Sequence, residues 1–91
     1  MIHDMPAEIG VKVRSLPDGE FHQASEVAWK GRLLELNVYG ESFPLGALLE
    51  IENGAMVYLG ELQQQNGSKA VVAIEHSVNR ETLKPIQDVW G

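Results

Sequence analysis

Residues 47–67 read Ala47-Leu48-Leu49-Glu50-Ile51-Glu52-Asn53-Gly54-Ala55-Met56-Val57-Tyr58-Leu59-Gly60-Glu61-Leu62-Gln63-Gln64-Gln65-Asn66-Gly67. Over 47–52, Leu49 and Ile51 alternate with Glu50 and Glu52. That period of two predicts a strand with one dry face. Asn53-Gly54 follows, the strongest short hairpin signal, because tight hairpin turns need left-handed backbone that Asn and Gly accept. The next strand, 55–64, sets Val57, Leu59 and Glu61 against Met56, Tyr58, Gly60 and Leu62. Asn66-Gly67 repeats the turn signal, and Val71, Val72, Ala73 and Ile74 form a further strand over 69–76. Strands joined by such short turns must run antiparallel.

The chain before this stretch continues the pattern. Ile9, Val11 and Val13 alternate with Gly10, Lys12 and Arg14, a strand over 9–16. Pro17-Asp18-Gly19 is a turn: Pro presets φ, Asp bonds its own backbone and Gly takes a positive φ. A second strand, 20–28, has Phe21, Gln23, Ser25 and Val27 on one set of positions and His22, Ala24, Glu26 and Ala28 on the other. This weak pattern predicts a bent strand, ended by Gly31. Residues 32–38 are a third strand, with Leu34 and Leu36 on one face, and Tyr39-Gly40-Glu41-Ser42-Phe43-Pro44 is a loop. Six short strands at about ten-residue spacing predict an all-β fold, a six-stranded small antiparallel β-barrel whose closure removes exposed edges.

Beyond Ser77 the spacing changes. Leu83, Ile86 and Trp90 stand at helical intervals, Ser77 or Asn79 is a cap, and Pro85 suits a first turn. The expectation is a short C-terminal helix laid over one end of the barrel. Residues 1–8 read as a flexible N-terminal lead-in and 9–91 as a single domain.

At 91 residues one domain is the expectation. Thirteen acidic and 7 basic side chains give a net charge of −6, which disfavours binding to nucleic-acid polymers. No cysteine is present, so there is no disulfide, thiolate metal site or cysteine nucleophile. The start, Met1-Ile2-His3-Asp4-Met5-Pro6, has no basic or apolar signal-peptide region, and no apolar run is long enough for a membrane span. A cytoplasmic protein is expected.

Chemistry-bearing motifs are sparse. His3, His22 and His76 lack a second ligand at metal-site spacing, and Glu75-His76 point to opposite faces of a strand. There is no GxSxG, no GxGxxG and no phosphate loop. Glu50, Glu52 and Glu61 alternate with core positions and read as a solvated face. The chain is therefore read as no enzyme, with no metal and no cofactor. Trp29 beside Lys30, Gly31 and Arg32 has two readings, core residue or exposed anchor. Lys12, Arg14, Lys30 and Arg32 form the one candidate anion site.

The order of parts resembles the PilZ domain family. The likeness lies in Phe43-Pro44-Leu45-Gly46-Ala47-Leu48-Leu49-Glu50-Ile51-Glu52, Leu59-Gly60-Glu61-Leu62 and Val71-Val72-Ala73-Ile74-Glu75-His76. The resemblance implies a bacterial six-stranded barrel with a C-terminal helix, and a signalling context built on cyclic di-GMP. The family's RxxxR before the first strand is missing, since residues 1–8 contain no Arg. Its [D/N]xSxxG motif is matched best by Glu26-Val27-Ala28-Trp29-Lys30-Gly31, which keeps the acid and Gly31 but puts Ala28 where the hydroxyl belongs. Arginine's planar fork is not copied by lysine.

The resulting expectation is a PilZ-like regulatory module. It would bind another bacterial protein through Trp29, Tyr39 and Phe43, with weak or no cyclic di-GMP binding. One alternative is a divergent cyclic di-GMP receptor with a site of Arg14, Glu26, Ala28, Lys30, Gly31 and Arg32, in which Arg14, Lys30 and Arg32 hold the ligand. A further alternative is an unrelated small-barrel adaptor.

Overall fold

The computed structural model describes residues 10–81. Six strands follow in order: β1 (Val11–Ser15), β2 (His22–Lys30), β3 (Leu33–Val38), β4 (Leu48–Asn53), β5 (Met56–Asn66) and β6 (Lys69–Asn79). Every neighbouring pair is antiparallel, and the sheet closes as β1-β2-β3-β6-β5-β4, with β4 returning to β1. The expected six-stranded antiparallel barrel is therefore what forms. The 39–47 connection carries the chain from β3 across to β4, away from its sequence neighbour. β6 then fills the place between β3 and β5.

The interior follows from alternation. Val11 and Val13 of β1, Leu34, Leu36 and Val38 of β3, and Leu49 and Ile51 of β4 all point inward and are buried. Ala24 of β2, Phe43 of the 39–47 connection, and Leu62, Ala70, Val72 and Ile74 of β5 and β6 complete the filling. A barrel of so few strands has room for side chains and nothing else.

The C-terminal helix is corrected. The six strands are the regular elements of the described residues, and no helix is among them. Ser77, read as a helix cap, is a strand residue paired with Tyr58, whereas Asn79 closes β6 opposite Met56 and its Oδ1 accepts from Glu81 N–H at 3.0 Å, the contact of a cap. Arg80 and Glu81 leave the sheet with helical backbone, and Leu83, Ile86 and Trp90 lie outside the described residues. The helix that the PilZ resemblance implies thus has no counterpart in the described fold.

The hairpin turns sit one residue later than the dipeptide signal suggests. Asn53 pairs with Met56 and Asn66 with Lys69, so each Asn is the last residue of its strand. The loops are Gly54-Ala55 and Gly67-Ser68, and Gly31-Arg32 joins β2 to β3 in the same way. Gly31, Gly54 and Gly67 have φ of 61°, 62° and 63°. The left-handed requirement falls on the first loop residue, where glycine meets it without strain. Arg32 is consequently a loop residue, and β3 starts at Leu33.

Candidate functional site

Two of the sheet's three register shifts shape the outer surface. In β2 the register with β3 slips between Glu26 and Ala28, leaving Val27 unmatched. In β5 it slips between Leu62 and Gln64, leaving Gln63 unmatched. An extra residue reverses the side-chain alternation and sharpens the local twist. Strict alternation puts Ala24, Glu26 and Ala28 on one face. After the bulge Ala28 pairs with Glu35 instead, and Ala28 and Lys30 turn outward.

The outward residues then align across four strands. Ala28 is opposite Glu35, Glu35 opposite Val71, and Val71 opposite Gln64. On one side of this row Lys30 pairs with Leu33, and on the other Lys69 pairs with Asn37 and Asn66. Short Ala28 and Val71 lie between long neighbours. The result is an open groove of about 340 Å³, lined by Ala28, Lys30, Leu33, Glu35, Gln64, Asn66, Lys69 and Val71. Lys69 Nζ is 2.9 Å from Glu35 Oε2 across the groove. Leu33 is 41% exposed at its edge.

The same bulge sends Trp29 the other way, over the end of the barrel. Its ring meets Tyr58 edge-on, centroids 5.2 Å apart. Trp29 Nε1–H donates to Glu26 Oε1 at 3.1 Å, and Asn53 Nδ2–H donates to Glu26 Oε2 at 2.6 Å. Glu26 thereby ties β2 to the β4–β5 hairpin at the N-terminal end of β1. Burial, and then the Glu26 charge, raise the Tyr58 phenol above its ordinary 10.0.

The folded state prefers the neutral phenol. The stability this contributes is complete below pH 10.0 and is lost as pH rises through the higher folded value. In a Tyr39→Phe background the tyrosinate absorbance of Tyr58 is expected to rise with a midpoint above 10.0. Adding Glu26→Gln is expected to bring that midpoint part of the way back. A midpoint at or below 10.0 contradicts the arrangement.

The anticipated site residues fall in several places. Ala28 and Lys30 line the groove, and Gly31 and Arg32 form the adjoining exposed loop. Glu26 serves the barrel end. Arg14 is elsewhere: Nε and Nη2 donate to Glu50 Oε1 at 2.9 and 2.7 Å, and the guanidinium lies 4.8 Å from the Phe21 ring centre. β2 is 9 residues long, on the order of 25 Å at strand rise. Arg14 lies beside its start and Lys30 ends it. Arg14, Lys30 and Arg32 therefore do not converge on one small ligand.

Because Arg14 and Glu50 are directly opposed, a double-mutant cycle with Arg14→Gln and Glu50→Gln is expected to give about 0.5–1 kcal/mol of coupling, the range of a partly exposed pair. Zero coupling would leave Arg14 available for a ligand role.

Among the residues expected to bind a partner, Trp29 and Tyr39 are exposed, at 42% and 55%. Tyr39 also shares a 3.0 Å hydrogen bond with Ser25 Oγ. Phe43 is corrected. It is a core residue, 7% exposed, with its ring edge against His22 and its N–H bonded to Gln65 Oε1. An aromatic ring in the connection across the barrel end gains more from burial than from solvent contact. Leu33, Glu35, Gln64, Asn66, Lys69 and Val71 were not anticipated. One signal was present: Gln63-Gln64-Gln65 is a polar run with no alternation, the mark of a strand out of phase.

Among the described residues no group of three or more His, Asp or Glu is placed to hold a metal ion. No helix of the described residues is long and apolar enough to cross a membrane. No protein-family model, curated protein or solved structure matches the chain. The likeness to PilZ domains therefore rests on the quoted residues alone and assigns no ligand.

Proposed function

We propose that this chain is a small-barrel adaptor, a non-catalytic module that docks a protein partner in the groove across β2, β3, β6 and β5. The observation that carries this reading is the groove itself. Its floor of Ala28 and Val71 is apolar, with Leu33 at one edge, and Lys30, Glu35, Gln64, Asn66 and Lys69 around it are polar. An apolar centre within a polar rim is the anatomy of a recognition surface. The rim offers no nucleophile paired with a base, which favours binding over chemistry.

Site-directed photocrosslinking in source cells tests the reading. A photoreactive residue at Val71 is expected to give one discrete adduct, and that adduct is expected to disappear with Leu33→Glu. The same group at Leu48, on β4 outside the groove, is expected to give none. Adducts from Leu48 alone, or none from Val71, would overturn the assignment. Cyclic di-GMP added to the ¹⁵N-labelled chain is expected to leave Arg14 and residues 26–32 unshifted. Saturable shifts there would favour a nucleotide receptor instead.

A further inference from the structure

Resting on the groove as the docking surface, we infer that its occupant is an extended partner segment with an acidic residue at the Lys30 end and apolar ones beyond it. Charge decides this. Arg14, Lys69 and Arg80 each meet a glutamate: Glu50, Glu35 and Glu52. Lys30, at one end of the groove, meets none among the described residues, and neither does Arg32 one residue further along the exposed loop. Two cations without partners at one spot, in a chain of net charge −6, are a local exception to the field. At physiological salt the field decays over about 8 Å, so an incoming carboxylate at the groove responds to Lys30 and Arg32 more than to distant acids.

The other end carries Lys69, whose charge Glu35 already meets, with Asn66 opposite it and Gln64 further in, opposite Val71. Neither side-chain amide has a hydrogen-bond partner among the described residues. Both can donate to a carboxylate or to a peptide carbonyl. Lys30 pairs with Leu33 and Lys69 with Asn37, so the two lysines are four residues apart along β3 and two strands apart across the sheet. Strand rise and spacing put them about 16 Å apart, the reach of about five extended residues.

Between them lie Ala28 and Val71, with Glu35 opposite both. Glu35, already engaged by Lys69, offers an acid no partner at the centre of the segment, and the small apolar floor accepts aliphatic side chains there. A basic segment would meet Lys30 and Arg32 as like charges.

Three capped pentapeptides test this by amide-detected NMR on the full chain: Glu-Leu-Ala-Leu-Glu, Gln-Leu-Ala-Leu-Gln and Lys-Leu-Ala-Leu-Lys. The acidic peptide is expected to give saturable shifts at Ala28, Lys30, Leu33 and Val71. Lys30→Glu is expected to weaken it about tenfold or more, as reversing one close charge contact does. Unchanged signals of Val13 and Leu49 confirm that this variant folds. If the neutral or basic peptide binds the groove as well as the acidic one, the charge assignment is wrong and the docking surface stands. If no peptide shifts groove residues, both are overturned.

Discussion

Gly60→Ala is expected to destabilise the barrel by about 3 kcal/mol or more, at the upper end of what overpacking does. Gly60 is buried in β5, opposite Ile74 of β6 at a register shift. A Cβ built there collides with the Ala73 carbonyl oxygen and lies 2.9 Å from Val72 Cγ1. The carbonyl belongs to the backbone of the neighbouring strand and cannot rotate aside as a side chain could. Relief requires β5 and β6 to separate at the centre of the longest hairpin. Urea unfolding of the variant measures the effect. A loss below about 1 kcal/mol would mean that the strands do not approach so closely. The turn glycines provide the contrast. At Gly31, Gly54 and Gly67 an added Cβ meets nothing within 4 Å, so substitution there strains only the positive φ.

Two neighbouring leucines of β3 are expected to behave as opposites. Leu34 is 0% exposed and packs inside the barrel, while Leu33 faces outward at the groove. Leu34→Ala is expected to cost about 2–5 kcal/mol, the sum of lost transfer energy and the cavity left behind. That is a large share of the roughly 5–15 kcal/mol that stabilises a small domain. Leu33→Ala is expected to change stability by about 0.5 kcal/mol or less, as surface substitutions do, and to weaken the groove's hold on its partner. Unfolding curves for both variants, with the crosslinking yield at Val71 for the second, separate the two roles. Equal losses of stability would mean that β3 is paired one residue out of register.

The legible parts of this fold are those where one physical cause acts over a few residues. Leu34 and Leu36, and Leu49 and Ile51, announce their inward faces by alternation alone. The Gly54 and Gly67 turns announce themselves because few residues accept a positive φ. Even there the signal was local and slightly displaced. Asn53 and Asn66 proved to be the final paired residues, and Gly alone carried the conformational demand.

The groove was not legible, for a different reason. Its lining comes from positions 28–35 and 64–71, brought together by β3 pairing with β6. No local pattern encodes that pairing. The bulges at Val27 and Gln63 hid it further, because each reverses the alternation that a reading of β2 or β5 depends on. Phe43 shows the same limit in reverse. A bulky aromatic in a loop between Gly40 and Gly46 reads as surface, and only the path of that loop across the barrel end buries it.

By itself, then, the sequence determined the β class, the number of strands, most of the dry face and the places where the chain turns. Each depends on side-chain period or on a single residue's φ, and both act within a few bonds. The tertiary structure decided which strands are neighbours, that Arg14 is held by Glu50 far from Lys30, and that Lys30 and Lys69 share one groove. Arg14 and Glu50 stand 36 positions apart and the two groove lysines 39, and their placement depends on the closure of the whole sheet rather than on any segment of it.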